Sequence, residues 1–398
     1  MSIRQLKTTV CFLTLMFMPV FSVTAEAQQQ PKAYVYSINN ISDASYYIGW
    51  PTVAEKQDGE LILSYSGGRE GHVCPFGRLE FMRSADNGRT WSKPQILIES
   101  ILDDRDSGLC QTSKGTLLVT WFTSTYWQDH VFNQKEKVAS WPQEKKQRWE
   151  KMEQQIATEK YRYPSIKKEI VDSKNAIKQW MIRSEDDGKT WSEPYLVPMM
   201  SPHGPIVASD GRLLLAGKTE EFIGLCESTD DGKTWNIVSR IEPMTDHDSK
   251  DYHELHIVEA ADGTLIVQIR NHNKTYHFET LQTESRDRGK TWTPIHSIGV
   301  WGFPSHLLLL ADKNILMTYS YRGAGRKPSG SNRVEARIST DNGKTWSEPV
   351  RISDNLYCGD FGYPSSVELD NNKILSIWYE KQADSKNAVL RQAVWEIR

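Results

Sequence analysis

The sequence predicts an all-β fold, a six-bladed β-propeller with a helical insertion in the second blade. Three observations carry that prediction: an octapeptide ending in tryptophan occurs five times, an apolar β-rich run behind a polar turn occurs six times, and one interval between octapeptides is long and densely charged. The octapeptides are SADNGRTW from Ser84, SEDDGKTW from Ser184, STDDGKTW from Ser228, SRDRGKTW from Ser285 and STDNGKTW from Ser339. Their aspartates, Asp86, Asp186, Asp230, Asp287 and Asp341, are separated by 100, 44, 57 and 54 residues. A repeat of about 40 to 50 residues with four short strands per unit is the period of a propeller.

The apolar runs define the blades. They are QDGELILSYSG from Gln57, SKGTLLVTWFTS from Ser113, SDGRLLLAGK from Ser209, ADGTLIVQIRN from Ala261, ADKNILMTYSYR from Ala311 and DNNKILSIWYE from Asp370. A tight polar turn ahead of β-formers marks a hairpin, so six runs mean six blades. No octapeptide follows the sixth hairpin, which fits a ring closed by the chain ends, with AYVYSI, Ala33 to Ile38, supplying the outer strand of the last blade. Within each octapeptide the aspartate accepts backbone hydrogen bonds from its own turn, the glycine takes positive φ, and the tryptophan buries against the next sheet. Five copies on five blades cannot line one site, so the motif is scaffold.

The 100-residue interval contains a single hairpin signal and is therefore one blade with an insertion, residues 128–175. Trp149, Met152 and Ile156 fall at i, i+3 and i+7, a narrow apolar stripe on an otherwise solvated helix. Packing on the propeller rim is expected of such a stripe, and a lid over the central mouth is the alternative.

Residues 1–27 read as a secretory signal peptide: Arg4 and Lys7, an apolar run from Val10 to Val23, then small residues ending at Ala27. The propeller then occupies 28–398 of a secreted or periplasmic protein. Cys74, Cys110, Cys226 and Cys358 remain, either paired in one of three ways or as buried thiols. A net charge of −3 argues against the cationic surface that nucleic acid requires. No membrane span is expected after the N-terminus, because a mean hydropathy of −0.57 accompanies no long apolar stretch.

Beyond the octapeptides, the inner strands of this chain resemble the sialidase superfamily of six-bladed propellers, in which the octapeptide is called the Asp box or BNR repeat. The likeness covers nearly the whole mature chain. The resemblance implies an exo-acting glycoside hydrolase that releases a terminal acidic sugar from glycans, without a cofactor. In YHELHIVEAADGTLIVQIRN, Glu254 matches the family's catalytic glutamate and Arg270 a substrate-clamping arginine. In GYPSSVELDNNKILSIWYE, Tyr363 takes the nucleophile's place, and SNRVEARIS offers Arg333 as a second clamp, with Arg337 or Arg322 as alternatives. Such a set is chemically coherent. The anomeric carbon of a sialic acid bears a carboxylate that would repel a carboxylate nucleophile, whereas a tyrosine deprotonated by a neighbouring glutamate avoids that repulsion. Arginine suits the acid group because its planar fork donates two parallel hydrogen bonds.

Two departures stand out. The first blade reads IGWPTV, with Trp50 where the family has an arginine, and the following loop, SGGREGHVCPFGR, lacks the family's acid/base aspartate. Arg69, Glu70 and His72 are available there, with His72 or Glu70 as proton donor and Arg69 as a binding group. Further polar residues precede the hairpins at the same end of the strands: His203, His256, His306 and Asp106, candidates for substrate contact. No histidine and aspartate show the fixed local spacing of a metal site. Two rival functions remain open at this level, a central-histidine lyase or hydrolase acting on uronic-acid polysaccharide and a carbohydrate-binding propeller without catalysis.

Overall fold

Each polar turn with its apolar run closes a hairpin between the two innermost strands of a blade. The computed structural model describes residues 31–124, 138–166, 178–323, 332–354, 356–357 and 359–398. The predicted signal peptide, Cys358 and both flanks of the insertion lie outside the described residues. Among those described there are six four-stranded antiparallel sheets.

Blade 1 comprises Tyr47–Glu55, Leu61–Arg69, Arg78–Ser84 and Gln95–Ile98, from the axis outwards, and blade 2 comprises Asp103–Gln111, Leu117–Ser124, Lys178–Ser184 and Tyr195–Leu196. Blade 3 is Ile206–Val207, Leu213–Lys218, Ile223–Ser228 and Asn236–Ile241, and blade 4 is Tyr252–Glu259, Leu265–Asn271, Glu279–Ser285 and His296–Trp301. Blade 5 is Ser305–Leu309, Ile315–Arg322, Asn332–Ser339 and Val350–Arg351. Blade 6 takes three strands from the C-terminus, Phe361–Leu369, Lys373–Lys381 and Ala388–Ile397, and its outer strand, Ala33–Asn40, from the N-terminal side, as the sequence predicts.

Burial explains why the sheets form a closed ring. Every adjacent pair of blades shares its own apolar cluster, for example Leu63 and Tyr65 with Leu375 and Ile377 between blades 1 and 6, or Leu118 and Met181 with Leu213 between blades 2 and 3. Sheets buried on both faces carry near-continuous apolar runs, which is what LILSYSG and ILSIWYE are.

The octapeptides staple the blades. In each, the serine hydroxyl donates to one aspartate oxygen and accepts from the glycine N–H, while the threonine N–H and hydroxyl donate to the two aspartate oxygens, as at Ser184, Asp186, Gly188 and Thr190. The tryptophans reach the preceding sheet rather than the next: Trp91 Nε1 donates to Gln392, Trp292 to Ser239 and Trp346 to Gln282, at 2.8–3.0 Å. The turn follows the third strand and folds back over the groove towards the preceding blade, where a Cβ at Gly88 would lie 2.2 Å from Leu375.

These staples set an acid limit. The threonine hydroxyl and N–H bonds hold Asp186 and Asp287 down to about 2, against an ordinary value of 3.8. A depressed folded-state pKa contributes stability that is complete above about pH 4 and is lost as pH falls through about 2. The melting temperature of the parent is expected to fall over that window, and its margin over an Asp186→Asn/Asp287→Asn variant to close there. A margin unchanged from pH 5 to pH 2 would remove the carboxylates from this role.

The insertion contains the helix Gln143–Thr158, which buries Trp149 and Met152 and partly buries Ile156, the predicted stripe. It packs beside blades 1 and 2 and braces the loop after the first hairpin: Lys145 pairs with Glu70, and Arg148 donates to the Phe76 carbonyl at 3.2 Å. Cys74, Cys110 and Cys226 are buried free thiols.

Candidate active site

Four innermost strands break register at the same place, between Gly49 and Thr52, Arg105 and Gly108, His253 and His256, and Gly362 and Ser365. The residues at these bulges, Trp50, Asp106, Glu254 and Tyr363, have φ of +54°, +52°, +38° and +51°. Left-handed backbone is strained for side chains of this size, and bulges re-aim the residue they carry. Four strands therefore turn one residue each towards a common mouth.

There the Tyr363 hydroxyl donates to Glu254 Oε1, Arg270 donates to Glu254 Oε2, and Arg270 Nη1 also donates to the Tyr363 oxygen at 3.1 Å. Arg270 is fixed from behind by Nε donation to His272 at 2.8 Å and by the Phe303 ring, 4.4 Å from the guanidinium carbon. Burial pushes the Tyr363 phenol well above its ordinary value, and the Glu254 charge adds to that. Burial would also raise Glu254, but Arg270 and the Tyr363 hydroxyl outweigh it and hold the carboxyl below its ordinary value. The resting pair is a neutral phenol hydrogen-bonded to an ionised carboxylate, the arrangement in which a base activates a nucleophile.

Asp106 belongs to the same field: its charge acts on Tyr363, and that of Glu254 acts on it. Burial, opposed by Arg105, raises its carboxyl to about 7, and Oδ1 is buried without a hydrogen-bond partner. Because the folded-state pKa is raised, Asp106 costs stability as pH climbs from about 4, and the cost is complete above about 7. Asp106→Asn is expected to melt higher than the parent at pH 8 and equally at pH 4, a difference that differential scanning calorimetry reads directly. A gain of equal size at both pH values would sink this account.

Trp50, buried, stands edge-on to Tyr363 with ring centroids 6.4 Å apart. His72 meets the Trp50 ring at 5.0 Å, and its Nδ1 lies 3.2 Å from Asp360 Oδ1. Asp360 also accepts from the hydroxyls of Tyr47 and Tyr379, at 2.8 and 3.2 Å. Burial lowers the His72 pKa and the Asp360 hydrogen bond opposes it. Glu70 is tied to the insertion helix by Lys145.

The remaining predicted residues have other partners. Arg69 is wholly buried and grips both oxygens of Asp103, at 2.6 and 3.0 Å, which makes it scaffold rather than a binding group. Arg333 pairs with Glu335 and covers the Tyr321 ring, whereas Arg322 lies over Phe303, the ring it shares with Arg270, and over Phe361. His203, His256 and His306 cluster with centroids 4.7–5.1 Å apart, and burial holds all three neutral. They line a cavity of about 650 Å³ walled by the later halves of the inner strands, towards the hairpin turns and away from the bulges. No group of three metal-binding side chains converges among the described residues.

Sequence reasoning missed Arg105 and Asp360 and left Arg322 as an alternative. A signal existed: eight residues before the turn positions Asp58, Lys114, Asp262 and Asn371 stand Trp50, Asp106, Glu254 and Tyr363, and in blades 3 and 5 the same offset from Asp210 and Asp312 reaches Pro202 and Pro304.

Six four-stranded blades, five of them stapled by Asp boxes, define a sialidase-like propeller. The chain belongs to the BNR repeat-like domain family, whose model matches residues 22–203 and 161–375. Among solved structures, a protein of unknown function from Dyadobacter fermentans is 20% identical, covering 92% of this chain and 99% of its own at a TM-score of 0.71. The NanB sialidase of Streptococcus pneumoniae is 15% identical, covering 91% and 70% at 0.62, and the intramolecular trans-sialidase of Ruminococcus gnavus is 15% identical, covering 91% and 96% at 0.59. At these identities the likeness is one of fold. No curated protein matches the chain in sequence.

Proposed function

We propose that this protein is a secreted or periplasmic exo-acting glycoside hydrolase that releases a terminal acidic sugar from glycans. The observation that carries the reading is the convergence of Tyr363, Glu254 and Arg270 on one another from three places in the chain. Tyr363 attacks the anomeric carbon as Glu254 takes its proton, and Arg270 holds the developing phenolate. His72, oriented by Asp360, protonates the departing oxygen and then takes a proton from the water that cleaves the tyrosyl-sugar bond, while Glu254 returns its proton to Tyr363. Two displacements at one carbon retain its configuration. The solved neighbours described as sialidases support an acidic sugar.

Release of an aryl alcohol from an aryl sialoside or aryl uronide tests the reading, and no release from either would overturn it. His72→Ala is expected to cost about 100-fold or more with an alkyl leaving group and far less with nitrophenolate, which needs no proton. Asp360→Asn removes the charge that keeps His72 basic, so the alkaline limb of the kcat/KM profile moves to lower pH. Equal losses on both leaving groups would exclude His72 as donor. The His72–Asp360 pair also favours a second reading, a histidine-based lyase for uronic-acid polysaccharide, whose unsaturated products absorb in the near ultraviolet.

A further inference from the structure

The cavity lined by His203, His256 and His306 is a second concave site, which the proposed reaction does not use. Its volume, about 650 Å³, is that of a small-molecule pocket. None of Tyr363, Glu254 and Arg270 lines it, and its outer end is formed by the hairpin turns, on the side away from the mouth. Its floor is neutral and short of partners. Burial keeps the three imidazoles uncharged, so each carries one N–H and one lone pair. His256 Nδ1 accepts from the Leu307 N–H at 2.9 Å, which places the ring proton on Nε2. Both ring nitrogens of His203 and Nδ1 of His306 are buried with no hydrogen-bond partner among the described residues. Thr52 stands at the same level, its hydroxyl donating to the Pro202 carbonyl at 2.9 Å and its oxygen keeping the capacity to accept.

The opening is acidic. Glu55 lies three residues beyond Thr52 on the same strand, and Glu368 and Asp370 line the cavity beside it. Burial raises the Glu55 carboxyl, and the charges of Asp370 and Glu368 add to that with no cation to oppose them. None of the three forms an ion pair among the described residues, and no described lysine or arginine lines the cavity. Between floor and opening the walls are aliphatic, with Val53, Leu109, Leu307 and Val367. Each level selects a different part of a ligand. Unpartnered donors and acceptors with no counter-charge take hydroxyl groups rather than an ion, and crowded carboxylates take a cation. With its lone pair engaged by Leu307, His256 is not available to a metal ion.

We propose that this cavity binds a hydroxylated primary ammonium, the chemistry that an amino sugar and a linear amino alcohol share. Its hydroxyl end meets His203, His306 and Thr52, its C–H surface lies on the aliphatic walls, and its ammonium sits among Glu55, Glu368 and Asp370. The sign of the charge separates the two sites: the mouth presents Arg270, whereas the cavity presents carboxylates and repels an acidic sugar. The site is independent of the reaction proposed at the mouth.

Ligand-observed NMR titration of the full chain with glucosamine beside N-acetylglucosamine, and with aminopentanol beside pentylamine, tests the proposal. Glucosamine is expected to bind on the order of 10-fold more tightly than its N-acetyl form, which lacks the charge, if the occupant is an amino sugar. Aminopentanol binding above pentylamine, with glucosamine excluded, would instead identify a linear amino alcohol. Glu55→Gln/Asp370→Asn should weaken whichever ammonium binds on the order of 10-fold, and both side chains are exposed, so the fold tolerates the change. His306→Leu should abolish the preference for the hydroxylated amine, and the carboxylate variant decides the matter if the histidine variant does not fold. Neither ammonium binding, uncharged probes binding as tightly as charged ones, or a carboxylate variant that binds as the parent does would overturn the assignment. Tyr363→Phe should bind the ammonium as the parent does, and a loss there would place the ligand at the mouth and overturn it equally.

Discussion

Replacing Tyr363 with phenylalanine is expected to lower kcat for acidic-sugar release about 1,000-fold or more, ~4 kcal/mol of transition-state stabilisation, with KM little changed. The hydroxyl is the only group removed, and in the fold it lies between the Glu254 carboxylate, the proposed base, and the Arg270 guanidinium, the proposed support of its anion. Glu254 keeps its bond to Arg270, and both side chains reach solvent at the mouth, so water replaces the lost donor and the fold is retained. The assay is initial-rate kinetics on an aryl glycoside, with the melting temperature as a control. Turnover equal to that of the parent would end the tyrosine mechanism. Turnover lost together with the cooperative melt would assign Tyr363 to the fold.

The second large effect is on stability. Arg69→Ala is expected to cost about 3–5 kcal/mol in chemical denaturation, because it leaves the Asp103 carboxyl in the interior without its ion-pair partner. Both side chains have no solvent exposure, and the guanidinium also donates to Ser66 Oγ at 3.1 Å and to the backbone oxygens of Asp104 and His72 at 3.3 and 2.9 Å. Removing both charges, as in Arg69→Met/Asp103→Leu, should recover most of the loss, since a buried ion pair contributes little net stability over a packed apolar pair. A loss under about 1 kcal/mol in the single variant would contradict the assignment of Arg69 to the scaffold. The bond to the His72 carbonyl links this interior pair to the mouth, so the single variant should also loosen the loop that carries the candidate proton donor.

The six sheets, the ring closed by the two chain ends and the helical insertion could be read from spacing, because a repeated local unit repeats its local hydrogen bonds. Each octapeptide closes its own turn through residues within four positions of its aspartate, and the hairpins need only a turn and its flanking strands. Glu254, Arg270 and Tyr363 were legible for a related reason: each occupies a position that a resembled pattern marks. The direction of the tryptophans was not, since the octapeptide is the same whichever neighbouring sheet it covers.

The roles of the arginines were decided by distance through space. Arg69 and Arg105 are ordinary basic residues in their own stretches, and Arg69, next to Glu70 and His72, looked the more available. Only the folded ring shows Asp103 beneath Arg69 and, among the described residues, no hydrogen-bond partner for the buried Arg105 Nε. Likewise, His203, His256 and His306 precede hairpins as Glu254 does, yet they lie one or two residues further along their segments, on the wall of the far cavity. The amino-acid sequence by itself set the number of blades, their staples and the positions that bulge, all of which depend on contacts among near neighbours. Which charges meet, and which do not, depends on partners from other blades, and only closure of the ring brings those together.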